Sequence, residues 1–90
     1  MTADMLRIVI VDDHNLVLES LARRIADEPD MQVIATASNG EDGLQQILEH
    51  KPDVAVLDVD LPGRSAFDVA ADLASGNSGV KVLFLSGYVS

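Results

Sequence analysis

Two short, strongly apolar runs, each closing on aspartate, constrain this chain more than anything else in it. Leu6-Arg7-Ile8-Val9-Ile10-Val11 leads into Asp12-Asp13, and Val54-Ala55-Val56-Leu57 leads into Asp58. A strand with one wet face alternates apolar and polar residues. A strand covered on both faces has no reason to, and parallel sheets are typically the sheets covered on both faces. The segments between the runs have helical period, as a crossover between parallel strands requires. Leu16, Val17, Leu21, Ile25 and Ala26 mark one face of a helix from Asn15 to about Glu28, which Pro29 stops. Met31 to Ala37 reads as the second strand, and Ser38-Asn39-Gly40 as a turn and helix start. A second helix runs from Glu41 to about His50 with Leu44, Ile47 and Leu48 on one face, and Lys51-Pro52-Asp53 breaks it. Val54 to Leu57 is the third strand, and Asp60-Leu61-Pro62-Gly63 a turn. The third helix spans about Ser65 to Ala74, with Phe67, Val69, Ala70 and Leu73 expected to be buried, and Val80 to Leu85 is the fourth strand.

The order is therefore βαβαβαβ, an α/β chain with a doubly wound parallel sheet and helices on both faces. Ninety residues without a repeat or linker form one small domain, residues 1–90. The apolar fraction of 48% supports a packed core instead of a disordered tail. The net charge of −9 argues against nucleic-acid binding by this segment, because neutralising phosphates takes a basic face. There is no cysteine, so disulfides and thiolate metal sites are excluded. No apolar stretch approaches the roughly 20 residues of a membrane span, and the first residues, Met-Thr-Ala-Asp-Met-Leu-Arg, do not form a signal peptide. A cytoplasmic protein is the expectation.

In an open parallel sheet the side chains at the carboxyl ends of adjacent strands converge on one crevice. Asp12, Asp13 and Asp58 would meet there, and three acids repel one another unless a cation or protons intervene. Oxygen ligands of this kind suit a hard divalent ion, and a carboxylate beside such an ion is a candidate to receive a phosphoryl group. The plainer reading of Asp12-Asp13 is that they only favour the start of the helix at Asn15. Asp58 at a second strand end, and Ser86 at a third, weigh against it. Ser86 would place a hydroxyl where it can donate to a phosphoryl oxygen. His14 reads as a helix-start residue, since magnesium prefers oxygen ligands.

Taken together, Arg7-Ile8-Val9-Ile10-Val11-Asp12-Asp13-His14, Ala37-Ser38-Asn39-Gly40-Glu41-Asp42-Gly43, Pro52-Asp53-Val54-Ala55-Val56-Leu57-Asp58-Val59-Asp60-Leu61-Pro62-Gly63 and Val82-Leu83-Phe84-Leu85-Ser86 resemble the receiver domain of bacterial two-component response regulators. The Asp-Asp-His start and the Ala-Ser-Asn-Gly segment are most similar to the subgroup with a helix-turn-helix output domain. The resemblance implies a flavodoxin-like fold with strand order 2-1-3-4. It implies that Asp58 is the phosphoacceptor, served by a sensor histidine kinase or a small phosphodonor. Asp13 would bind Mg2+ directly, Asp12 would assist through water, and Asp60 would offer its backbone carbonyl. Ser86 would hydrogen-bond the phosphoryl group and move with it. Such a module is a phosphoacceptor in a transcriptional regulator and not a classical enzyme.

The family also carries a fifth strand, ending in a lysine that pairs with the phosphoryl group, an aromatic switch residue on that strand, and two further helices. Against that pattern this sequence reads as a receiver truncated after strand four. Lys81 lies at the opposite end of its strand from the required lysine, and Tyr88 is not at the switch position. Strand four becomes an apolar edge, from which self-association is expected. Two other functions compete. A receiver fold can serve as an interaction domain, or remain a fragment, without phosphorylation. Asp58-Val59-Asp60 also mimics the acid pair of haloacid-dehalogenase-type phosphohydrolases, but Pro62 and the position on the third strand fit that family poorly.

Overall fold

The computed structural model describes residues 5–76 and 78–85. It contains β1 (Leu6–Val11), α1 (Asn15–Ala26), β2 (Met31–Ala37), α2 (Gly40–His50), β3 (Val54–Asp58), α3 (Ala66–Ser75) and β4 (Lys81–Leu85). The four strands form one sheet in the order β2-β1-β3-β4, and all three pairings are parallel. This is the doubly wound arrangement expected from the sequence.

The central strands are apolar on both sides because both sides are covered. Val9, Val11, Ala55 and Leu57 face α2 and α3, where Ile47, Ala66, Val69 and Leu73 complete the main core. Ile8 and Ile10 point to the other face and are equally buried, on the side where Ala22 and Ala26 of α1 lie near Met31 and Val33. Pairing of β1 with β2 slips by one residue between Ile8 and Val9, so Ile34 has no counterpart on β1.

Helix starts follow capping chemistry. Asn39 precedes α2, and its Oδ1 accepts the Asp42 N–H at 2.8 Å. Ser65 precedes α3, and its Oγ accepts the Asp68 N–H at 3.1 Å. Gly63 turns the chain into α3 with φ of 73°, a conformation that favours glycine. α1 ends at Ala26, two residues short of the extent expected from periodicity.

Four side chains expected on buried faces are exposed. Leu16 is 80% exposed and Phe67 60%, and Ala26 and Leu48 are also exposed. Helical period identifies the apolar stripe, but whether a given residue is covered depends on a neighbour across it. Phe67 packs against Phe84 of β4 with ring centroids 4.9 Å apart and ring planes tilted by 38°, and β4 is an edge strand among the described residues. On that strand Leu83 is 58% exposed and Phe84 46%. Lys81 opens that strand, at the end of the sheet away from the acids.

Candidate functional site

The register of the central strands assembles the site. Val11 pairs with Leu57, so the next residues, Asp12 and Asp58, emerge side by side at the carboxyl ends of β1 and β3 and on the same face. Both are fully buried. Asp12 is fixed by its backbone, whose N–H donates to the Ala37 carbonyl at 3.0 Å. Its Oδ1 accepts the His14 N–H at 2.9 Å. Asp58 is fixed by the turn that follows it: the Asp60 N–H donates to Asp58 Oδ1 at 3.2 Å. The Val59 N–H donates to the Leu85 carbonyl at 3.0 Å, which ties the turn to β4.

α2 approaches this end of the sheet closely because two of its residues have no side chain. A Cβ on Gly43 would sit 2.7 Å from the methyl groups of Val11, one residue before Asp12, and a Cβ on Gly40 would collide with the carbonyl of Arg64. The Ala-Ser-Asn-Gly-Glu-Asp-Gly segment thus combines a helix cap with two points of backbone clearance next to the acids.

Asp12, Asp13, His14 and Asp58 bring ligand-type atoms within 4.8 Å of one another. His14 occupies the N-cap position of α1, as expected, but makes no side-chain cap. Its Nδ1 lies 2.9 Å from Asp12 Oδ1, 3.1 Å from Asp13 Oδ1 and 3.6 Å from Asp58 Oδ2. Ionised carboxylates only accept, so Nδ1 carries the proton in these contacts. The hydrogen bond to Asp12, then the charge of Asp13, raise the His14 pKa above 6.5. Sequence reading left His14 out of the cluster, and the one available signal was its position directly after Asp-Asp. Burial raises the Asp58 pKa above 3.8 and the neighbouring Asp12 adds to this, while the Asp60 N–H opposes them.

Two oxygens stand out in this arrangement. Asp12 Oδ2 and Asp58 Oδ2 are buried and have no hydrogen-bond partner. A buried carboxylate oxygen without a partner is costly, and here two of them stand at neighbouring strand ends with the more exposed Asp13 beside them. An all-oxygen set of this kind fits a hard divalent cation. Asp60 is placed at the turn expected of it. Ser86 and Tyr88 lie outside the described residues.

A family model described as the response regulator receiver domain matches residues 8–90. The chain is 37% identical over 79 residues to response regulator GacA of Pseudomonas viridiflava, covering 88% of this chain and 37% of that protein. It is 36% identical over 81 residues to transcriptional regulatory protein DegU of Brevibacillus brevis, covering 90% of this chain and 34% of DegU. The chain thus spans little more than a third of the length of these relatives. Among solved structures, the signal receiver domain of NarL from Mycobacterium tuberculosis matches with a TM-score of 0.92 and 33% identity, over 98% of this chain and 71% of that one. No helix among the described residues is long and apolar enough to cross a membrane. With its sheet order, its paired acids and a family match from residue 8 to residue 90, the chain belongs to the response regulator receiver domain family of two-component systems.

Proposed function

We propose that this chain accepts a phosphoryl group on Asp58 from a sensor histidine kinase or a small acyl phosphate, as the receiver of a cytoplasmic transcriptional regulator. The observation that carries this reading is the asymmetry of the Asp58 carboxylate. Oδ1 is held by the Asp60 N–H, whereas Oδ2 is buried and unpartnered. Oδ2 is therefore the attacking atom: it forms a bond to phosphorus as the bond from phosphorus to the donor's nitrogen or oxygen breaks. The Asp60 N–H keeps the carboxylate oriented during that exchange.

Asp12, Asp13 and Asp58, with the Asp60 backbone carbonyl, would hold Mg2+, Asp13 directly and Asp12 through water. When bound, that ion neutralises charge on the transferring oxygens. His14, hydrogen-bonded to Asp12, contributes part of the same compensation from the protein side. Ser86 is assigned the hydrogen bond to the phosphoryl group. DNA binding in a longer regulator belongs to an output domain and not to this acidic segment. The module consumes one phosphoryl group per cycle and is not a classical enzyme.

The test is intact mass after incubation with acetyl phosphate and MgCl2. One phosphate adduct on the parent, absent from Asp58→Asn and from the parent in EDTA, is the expected result. A folded parent that gains no adduct would overturn the proposal and leave a receiver fold used for interaction alone.

A further inference from the structure

His14 holds the helix-start position that Asn, Asp or Ser usually fills, yet it does not cap. Its backbone is extended, with φ of −98° and ψ of 105°, and its side chain makes no cap hydrogen bond. Its N–H instead donates to Asp12 Oδ1 at 2.9 Å, which turns the ring back toward the strand ends. Nδ1 thereby stands 2.9 Å from Asp12 Oδ1, 3.1 Å from Asp13 Oδ1 and 3.6 Å from Asp58 Oδ2. One N–H donates well to one acceptor, whereas here one nitrogen faces the carboxylates of three residues. The farthest of these oxygens, Asp58 Oδ2, is buried and has no hydrogen-bond partner. The acids and His14 gather at the ends of β1 and β3, the two inner strands of the sheet. No other set of three or more metal-ligating side chains comes together among the described residues.

We propose that His14 Nδ1 is a fourth ligand of this site and that, with Asp12, Asp13 and Asp58, it holds a borderline divalent ion of the zinc type, an assignment that rests on the reading of those acids as a metal site. Around an ion bound at about 2.0–2.2 Å by four ligands, neighbouring ligand atoms stand about 3.3–3.6 Å apart. The separations from Nδ1 run from 2.9 to 3.6 Å, so the ring is already within about half an ångström of a ligand's place.

The two kinds of ion use the ring differently. Mg2+ takes oxygen ligands and keeps several waters, so beside it the ring remains a hydrogen-bond donor to Asp12. Zn2+ accepts imidazole nitrogen and carboxylate oxygen alike. Binding it exchanges the Nδ1 proton for the ion: that proton leaves to solvent, and the neutral ring keeps its proton on the other nitrogen. Zn2+ stands high in the affinity order of any nitrogen and oxygen site. The signature of His14 is therefore the part of the Zn2+ preference that vanishes with the imidazole.

Titration calorimetry at a single pH gives the Zn2+ and Mg2+ affinities of the full chain and of His14→Phe, which keeps a flat ring and the backbone N–H but offers no ligand atom. The ratio of Zn2+ to Mg2+ association constants should fall roughly tenfold or more in the variant. A smaller fall, including equal gains or equal losses for both ions, would overturn the imidazole ligand. A parent that binds neither ion would overturn the metal-site reading as well, so the two failures are distinguishable. The bond itself is read by magnetic resonance. The chain has two histidines, and with isotopically labelled histidine and a spin-active cadmium ion in place of Zn2+, one ring nitrogen should show direct coupling to the metal. That coupling should persist in His50→Gln and be absent from His14→Phe. It also decides the matter if His14→Phe fails to fold, since the parent and His50→Gln suffice. A cadmium-loaded parent without the coupling, or one that loses it in His50→Gln, would overturn the proposal.

Discussion

The two ends of the same sheet treat their charged residues in opposite ways. At the amino end, Arg7 and Asp53 are tied into the backbone. Asp53 Oδ2 accepts the Arg7 N–H at 2.8 Å, its own N–H donates to the Arg7 carbonyl at 2.9 Å and its carbonyl accepts from Lys81 at 3.0 Å. One aspartate thereby joins β1, β3 and β4. The Arg7 guanidinium closes the end of α2, donating to the Lys51 carbonyl at 3.0 Å and the His50 carbonyl at 2.9 Å. At the carboxyl end, Asp12 and Asp58 are more deeply buried, yet each keeps an oxygen without a partner. Charged groups that only hold a fold together are satisfied by that fold. Groups left short at comparable or greater burial are kept for something that arrives from outside.

The largest expected effect tests that division directly. Asp12→Asn should weaken Mg2+ binding about 10- to 100-fold, measured by titration calorimetry, while Asp53→Asn leaves it unchanged. If Asp53→Asn weakened binding as much, the two ends would not be independent and the contrast would fail.

Next in size is the amino end itself. Asp53→Ala removes a solvent-exposed acceptor from the Arg7 N–H and should cost about 0.5–1.5 kcal/mol, read as a lower urea midpoint at unchanged slope. Midpoints for Asp53→Ala and the parent that coincide would show that backbone pairing alone holds β1 to β3.

Sequence made one end readable and hid the other. Asp12 and Asp58 were visible because each closes an unbroken apolar run, and burial on both faces is a local signal. Their adjacency follows from β1 and β3 being neighbours in register. The Arg7–Asp53 contact joins residues 46 positions apart in the chain, and nothing near either residue announces it. His14 falls between these cases: its place at the helix start was readable, but the direction of its ring toward three acids was not. Gly40 and Gly43 are legible as part of a motif, while their physical reason, clearance for Arg64 and Val11, exists only once α2 lies on the sheet. Phe67 is exposed because its aromatic neighbour, Phe84, lies on β4, an edge strand among the described residues.

A third effect is smaller and has a defined sign. Burial raises the Asp58 pKa above 3.8, so the folded state holds this proton more tightly than the unfolded state. The resulting stabilisation is complete below 3.8 and is lost as pH rises through the folded pKa. In metal-free buffer Asp58→Asn should therefore melt above the parent at neutral pH, and the gap should close as pH falls toward 3.8. Adding MgCl2 at neutral pH should raise the melting temperature of the parent more than that of the variant. A gap that stays constant with pH would mean that the Asp58 charge carries no stability penalty.

The smallest effect concerns Lys51, whose carbonyl receives Arg7. Lys51 caps α2 in the left-handed conformation, with φ of 50° and ψ of 61°, and its N–H returns to the Ile47 carbonyl at 2.9 Å. This conformation crowds any L side chain, and glycine is favoured at such a helix end. Lys51→Gly relieves that crowding but adds freedom to the unfolded chain, for a net gain of about 0.5 kcal/mol, seen as a slightly higher urea midpoint. Lys51→Val adds a β-branched side chain at the same φ and should move the midpoint the other way. Neither change should alter Mg2+ affinity, because the Arg7 contact uses only the Lys51 backbone. A loss of stability in Lys51→Gly would instead show that the lysine side chain, and not the backbone alone, seals the amino end.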